Sequence, residues 1–195
     1  MSHPLRLPGL EPAEWSPEVR SLLLGTLGPV AEMEAMSETD ERRPLAILAV
    51  LAHAGELLGP FLGWASALAL GGTLPRRDHE LLALRAAVGC HSDFEWGHHV
   101  AYARAVGLAD DEIQRVVAGP DADGWSDVDA ALLRAVDELI RDHAIGDNTW
   151  RVLAAQYDRA QLVEIPLVVG QYTMLSMLAN SAEVPLEPGF EPLPS

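Results

Sequence analysis

From about residue 16 to residue 185, alanine and leucine recur at helical spacing, β-branched runs are few, and segment after segment carries start and stop signals. Small and straight-chain side chains lose little freedom in a helix, whereas strands favour β-branched and aromatic ones. The pattern predicts an all-α chain. Ser16-Pro17 opens a first short helix closing near Gly25. A second runs from about Pro44 to Gly55 and a third from about Glu56 to Leu70, where Gly71-Gly72 breaks the chain. Pro75 suits the first position of a fourth helix, which ends at Gly89, where the missing side chain relaxes the backbone. A fifth spans about Asp93 to Val106 and stops at Gly107, and a short sixth covers Asp110 to Ala118. Ser126 with Asp129 is a capping-box-like start for a seventh that reaches about His143. Asp147 begins an eighth, near Thr149 to Tyr157. Asp158 with Gln161 opens the last, which Pro166 should kink by removing one hydrogen bond, and which Asn180 could close.

At 195 residues the chain exceeds a minimal fold and falls short of two comfortable domains. The expected layout is an N-terminal arm over residues 1–15, a single helical domain over 16–185 and a proline-rich tail over 186–195. The arm lies across a neighbouring subunit or is disordered; the sequence leaves both open. No uninterrupted apolar run reaches the roughly 18 to 20 residues that a membrane span requires, so no crossing of a bilayer is expected. The opening MSHPLRLPGLEPAEW holds three prolines and no apolar core, unlike a secretory signal. A cytoplasmic location is expected.

Charge and composition remove several chemistries. A net charge of −16 opposes binding to phosphate backbones, so nucleic acid is not an expected partner. All 13 basic residues are arginine, which excludes imine formation on a lysine. The one cysteine, Cys90, leaves no intrachain disulfide and no dithiol pair. It reads as a small apolar residue rather than a nucleophile, since no second cysteine can resolve it.

Chemistry concentrates in HELLALRAAVGCHSDFEWGHHVAYARAVGL, residues 79–108. Glu95 and His99 are four apart and share a helix face. Ser92 lies one turn back on roughly that stripe, and Glu80 sits on the preceding helix, which must fold back antiparallel over a short connection. A carboxylate bonded to an imidazole fixes its tautomer and raises its proton affinity, which suits general acid and base work near neutral pH. The same spacing also describes an ordinary surface pair. Trp96 and Phe94 would wall a pocket or fill the core, and Tyr172 would add a hydroxyl to the pocket or be a core tyrosine. Adjacent His98 points about 100° away and is expected at the surface or a subunit contact. A His91, Glu95 and His99 ladder has ligand types that zinc or iron accepts, but His91 precedes the N-cap Ser92 and stands off the stripe, so no metal is assigned. Met174, Met177 and Leu178 read as core or subunit interface.

The order Glu80, then Ser92-Asp-Phe-Glu95-Trp-Gly-His-His99, then Ala-Tyr-Ala-Arg-Ala-Val-Gly-Leu, resembles the carboxymuconolactone decarboxylase family, which includes the alkyl hydroperoxidase D branch. DDEIQRV, ALLRAVDELI, DNTW and VGQYTMLSMLAN extend the resemblance over roughly residues 40–185. It implies an alkyl hydroperoxidase D-like helical bundle, assembled as a homo-oligomer, a trimer or hexamer. The redox branch carries a glutamate, a Cys-x-x-Cys pair and a histidine at the places held here by Glu80, Ser92, Glu95 and His99, so its dithiol chemistry is blocked. The resemblance then points to the non-redox branch: a cofactor-independent enzyme in which His99, Glu95 and Glu80 transfer protons on a small lactone, organic acid or carbonyl compound, with Ser92, Trp96 and Tyr172 binding substrate. Two carboxylates disfavour an anionic substrate unless one is protonated or Arg85 and its neighbours offset them. A non-catalytic ligand-binding or assembly protein on the same scaffold and a metal-dependent enzyme stay open as alternatives.

Overall fold

The computed structural model describes residues 5–23 and 45–195. The expected end of the first helix at Gly25 and start of the second at Pro44 fall outside them. Among the described residues every regular element is helical. The chain forms two compact units, one of Met1–Leu70 with Ser181–Glu187, the other of Gly71–Asn180 with Pro188–Ser195.

The first unit holds helical residues 17–23 (α1), α2 (Ala46–Leu51), a 3-10 stretch (Ala52–Leu57) and α3 (Leu58–Gly71). Gly55, at φ 58° and ψ −118°, breaks the helix between α2 and α3 where the sequence placed a boundary; this backbone conformation is open mainly to glycine. Val19, Leu23, Ala52 and Leu58 form the buried core, with Leu10, Trp15 and Leu62 packed against it. The N-terminal arm is bonded within this unit: Leu10 N donates to Ala49 O at 3.0 Å and Leu7 N to Ala182 O at 3.2 Å. Gly9 permits that approach, since a Cβ there would come within 2.6 Å of the Ala49 Cβ.

The second unit is built on α4 (Arg76–Gly89), packed against α5 (Asp93–Ala105), α6 (Asp110–Ala118) and α7 (Asp127–Asp142), followed by α8 (Asp147–Gln156) and α9 (Arg159–Ala182). Leu81, Leu82 and Leu84 of α4 are fully buried, each contributing about 1.5–3 kcal/mol of apolar burial. Pro75 precedes α4 as its N-cap instead of opening it. Gly89 also departs from expectation. It is helical, and the left-handed position after α4 is taken by His91 at φ 53°. Gly89 serves packing: a Cβ there would come 2.7 Å from Ile140 Cδ1. Gly107, at φ 93°, does end α5 as expected.

Ser126 Oγ accepts from Asp129 N at 3.1 Å, and Asp158 exchanges bonds with Gln161 in a full capping box. α9 runs through Pro166 as one helix to Ala182, two residues past the expected stop at Asn180. Asn180 instead donates from Nδ2 to Cys90 O at 2.8 Å.

Two helical stretches, Ala46–Gly71 and Arg159–Ala182, are long and apolar enough to cross a membrane by length and composition. The first is interrupted at Gly55. The second carries Glu164, whose carboxylate accepts from Thr73 N, Thr73 Oγ1 and Leu74 N within 3.2 Å and ties α9 to the segment that starts α4.

Candidate functional site

The turn between α4 and α5 is short because its backbone bonds are closed locally. His91 N donates to Val88 O, Ser92 N donates to Ala87 O, and Ser92 Oγ caps α5 by accepting from Glu95 N. The chain thereby folds back on itself and brings Glu80, early in α4, against His99, midway along α5. His99 Nδ1 lies 2.6 Å from Glu80 Oε2, and its Nε2 lies 3.6 Å from Glu95 Oε2. All three side chains are buried.

α9 supplies the third side. The Tyr172 ring meets the His99 ring edge-on at 4.2 Å between centroids, and Tyr172 Oη lies 2.8 Å from His79 Nε2. Tyr102 approaches His99 edge-on from one turn further along α5. The six residues assigned from sequence therefore divide. Glu80, Glu95, His99 and Tyr172 converge. Ser92 is committed to capping α5, and Trp96, almost fully buried, is core. His98, expected at the surface or a subunit contact, is buried within the chain between Phe94 and Phe190, with centroids 4.6 and 4.2 Å away. His91 is exposed and outside the helix, and among the described residues no group of three His, Cys, Asp or Glu is placed to hold a metal ion, so the ladder does not form.

Arg85 does not offset the carboxylates. Its guanidinium binds Asp137 at 2.7 and 3.0 Å and the carbonyls of Val116 and Val117, away from the relay. Two groups that the sequence reading passed over belong to the surroundings instead. His79 holds the Tyr172 hydroxyl, and the positive charge of Arg76 acts on both His79 and Tyr172. Arg76, His79 and Glu80 stand at i, i+3 and i+4, a spacing that marks one helix face.

Burial sets the proton affinities. It would lower the His99 pKa, but the charge and hydrogen bond of Glu80 and the charge of Glu95 outweigh it, and the value is raised. Burial raises that of Glu95 against the opposing pull of His99 and His98. His79 is pushed down to about 4 by burial, against Glu80, and is neutral at pH 7. Burial and the nearby carboxylates hold Tyr172 well above an ordinary phenol. The arrangement is one basic imidazole fixed at Nδ1, with Nε2 turned toward the Glu95 carboxyl.

An antiparallel helix pair carrying a buried Glu-His-Glu relay under a tyrosine from a third helix defines an all-α protein of the alkyl hydroperoxidase D (AhpD)-like fold. The chain aligns with an uncharacterized peroxidase-related protein from Ralstonia eutropha JMP134, described as an alkylhydroperoxidase AhpD core, at a TM-score of 0.77 and 16% identity, covering 96% of this chain and 95% of that one. A peroxidase-related protein from Silicibacter sp. TM1040 aligns at 0.77 and 15%, covering 97% and 95%. A Cys-to-Ala variant of the debrominase Bmp8 in complex with 2,3,4-tribromopyrrole aligns at 0.75 and 12%, covering 96% and 95%. Residues 55–138 match the model of the carboxymuconolactone decarboxylase family. No curated protein matches it significantly in sequence.

Proposed function

We propose that the protein is a cofactor-independent acid–base enzyme in which His99 transfers a proton on a small lactone, organic acid or carbonyl compound. The observation that carries this reading is the 2.6 Å contact between His99 Nδ1 and Glu80 Oε2 inside the fold. With Nδ1–H donating to Glu80, Nε2 is the working nitrogen. The 3.6 Å between Nε2 and Glu95 Oε2 exceeds a direct hydrogen bond and leaves Nε2 able to serve a substrate atom.

As base, Nε2 takes a proton from carbon beside a carbonyl, and Glu80 stabilises the imidazolium that forms. As acid, the imidazolium returns a proton to the carbon left electron-rich by proton or carbon dioxide loss. Burial raises the proton affinity of Glu95, and the charge of His99 opposes that rise. Cys90 is the chain's one cysteine, so an intrachain dithiol cycle has no second sulfur. The debrominase neighbour, solved with a bromopyrrole, supports a small organic molecule as the kind of substrate this fold accepts. The same reading has the enzyme in the cytoplasm as a homo-oligomer.

A panel of lactones, keto acids and ketones, followed by NMR for carbon dioxide loss or for deuterium uptake beside the carbonyl, tests the assignment. His99→Ala should lose about 10²- to 10⁴-fold in rate. Equal rates for wild type and His99→Ala on every compound turned over would favour a binding or assembly role for the buried relay.

A further inference from the structure

The last residues of the chain, Pro188–Ser195, belong to the second unit and lie on α5. Prolines at 188, 192 and 194 exclude the segment from a helix. Pro188 and Gly189, the latter at φ 96°, make the turn that leads Phe190 to its seat. There the Phe190 ring meets His98 at 4.2 Å between centroids, and the same imidazole meets Phe94 at 4.6 Å. Glu191 accepts two hydrogen bonds from Arg104, at 3.0 and 3.4 Å, and Leu193 N donates to Asp93 Oδ1 at 3.0 Å. Asp93 opens α5 and Arg104 stands next to its last residue, so one short segment is tied at both ends of the helix.

The ties differ in kind. His98 and Phe94 are buried under the segment, whereas the Glu191 and Arg104 side chains are 57% and 43% exposed. An exposed ion pair exchanges readily with water and is weakened by salt. Arg104 also donates from Nε to Asp110 Oδ1 at 2.8 Å, and so keeps a carboxylate partner when Glu191 leaves. All of these ties run through side chains of α5, so none of the hydrogen bonds that build the helix breaks on release. What release changes is His98, which loses its Phe190 cover. His98 stands one turn from Glu95, on whose carboxyl its charge acts.

We propose that Pro188–Ser195 is a strap that docks on α5 and leaves it as one piece, held by the Glu191–Arg104 pair, and that its release opens His98 to water. The seat pairs ring with ring and carboxylate with guanidinium, and the two pairings respond to salt in opposite ways. Rising ionic strength screens the exposed charges, since the Debye length falls from about 10 Å at 0.1 M to about 3 Å at 1 M. The apolar contact of Phe190 has no charge to screen and favours the closed form throughout. Because Glu191 and Arg104 anchor the segment beside the ring, weakening them raises the open fraction. The strap stands apart from the acid–base reading, since Glu80, Glu95 and His99 make none of these contacts.

Diethyl pyrocarbonate labelling of the full chain at neutral pH, resolved to single histidines by tandem mass spectrometry, reads the strap. Each rate is divided by that of exposed His143. His98 of the wild type should react slowly in about 0.1 M NaCl and about twofold or more faster in about 1 M. Glu191→Gln should raise the low-salt rate by a similar factor and remove most of the salt response, and Phe190→Ala should raise it further. Buried His79 and His99 should stay slow in every case, because a strap uncovers one histidine and general loosening uncovers all three. A wild-type His98 that reacts as fast as His143 in low salt overturns the proposal. So does a His98 rate that either salt or Glu191→Gln leaves unchanged, or a rise shared by His79 and His99. Should Glu191→Gln fail to fold, the wild-type salt series alone decides.

Discussion

Glu80 Oε2 and His99 Nδ1 approach to 2.6 Å across the α4–α5 pair, both buried and nineteen positions apart in sequence. Closing this contact requires the tight Cys90–Ser92 turn. It also means that the charge state of one helix sets the proton affinity of a group on the other.

Glu80→Gln keeps the shape of that contact and removes its charge. The His99 pKa, raised in the wild type because Glu80 and Glu95 outweigh burial, should then fall, measured by NMR titration of the ring protons. Linkage gives the direction for stability. A histidine with a raised folded-state pKa adds stability that is fully present below about 6.5 and is lost as pH rises through the folded value. Denaturant titrations should show the wild type losing stability in that upper window and Glu80→Gln losing much less. A His99 titration that Glu80→Gln leaves in place would separate the two residues energetically.

His79 works in the opposite sense. Its folded pKa near 4 lies below the ordinary 6.5, so the stability tied to its neutral form is complete above 6.5 and lost as pH falls toward 4. The interval corresponds to roughly 3 kcal/mol. Urea unfolding at pH 7.5 and pH 4 should therefore give a smaller acid loss for His79→Gln than for wild type. His79→Gln should also slow turnover, because the Tyr172 hydroxyl at 2.8 Å loses its ring partner.

Legibility in the sequence followed the range of the interactions. Caps such as Ser92, Ser126 and Asp158 were readable because each acts within three residues, and the Glu95–His99 face followed from helical periodicity. Gly89 misled: glycine near a helix end suggests a left-handed cap, whereas the close approach of Ile140, fifty-one residues away, accounts for it. His98 misled for a similar reason, since Phe190 in the tail covers it and nothing adjacent announces that.

Arg85 offers a test of the scaffold apart from the site. Its fork binds Asp137 of α7 through Nε and Nη2, while Nη1 caps the last carbonyls of α6. Lysine supplies charge without the planar two-point geometry, so Arg85→Lys should destabilise by about 1–3 kcal/mol in chemical denaturation and leave the His99 titration unmoved. A loss below about 0.5 kcal/mol would mean that the pair behaves as an ordinary surface salt bridge.

α9 carries a second message on its outer side. Val163, Leu167, Met174 and Met177 are exposed, Val163 and Met177 by about three-fifths (61% and 62%). With Gly170 between them they repeat at alternating steps of four and three residues, the spacing of a helix that seats against another helix. Gly170 has open space where a Cβ would be, and no charged residue occurs from Ile165 to Ala182. A stripe of this kind left in water favours association, so the wild type should elute and scatter light as a multiple of the protomer. Leu167→Glu with Met174→Glu should shift it to a smaller species with unchanged helical circular dichroism, since neither side chain is in the buried core. A wild type that is already a single protomer at micromolar concentration would rule out the seam as an assembly surface, and the variant would then differ from it only in charge.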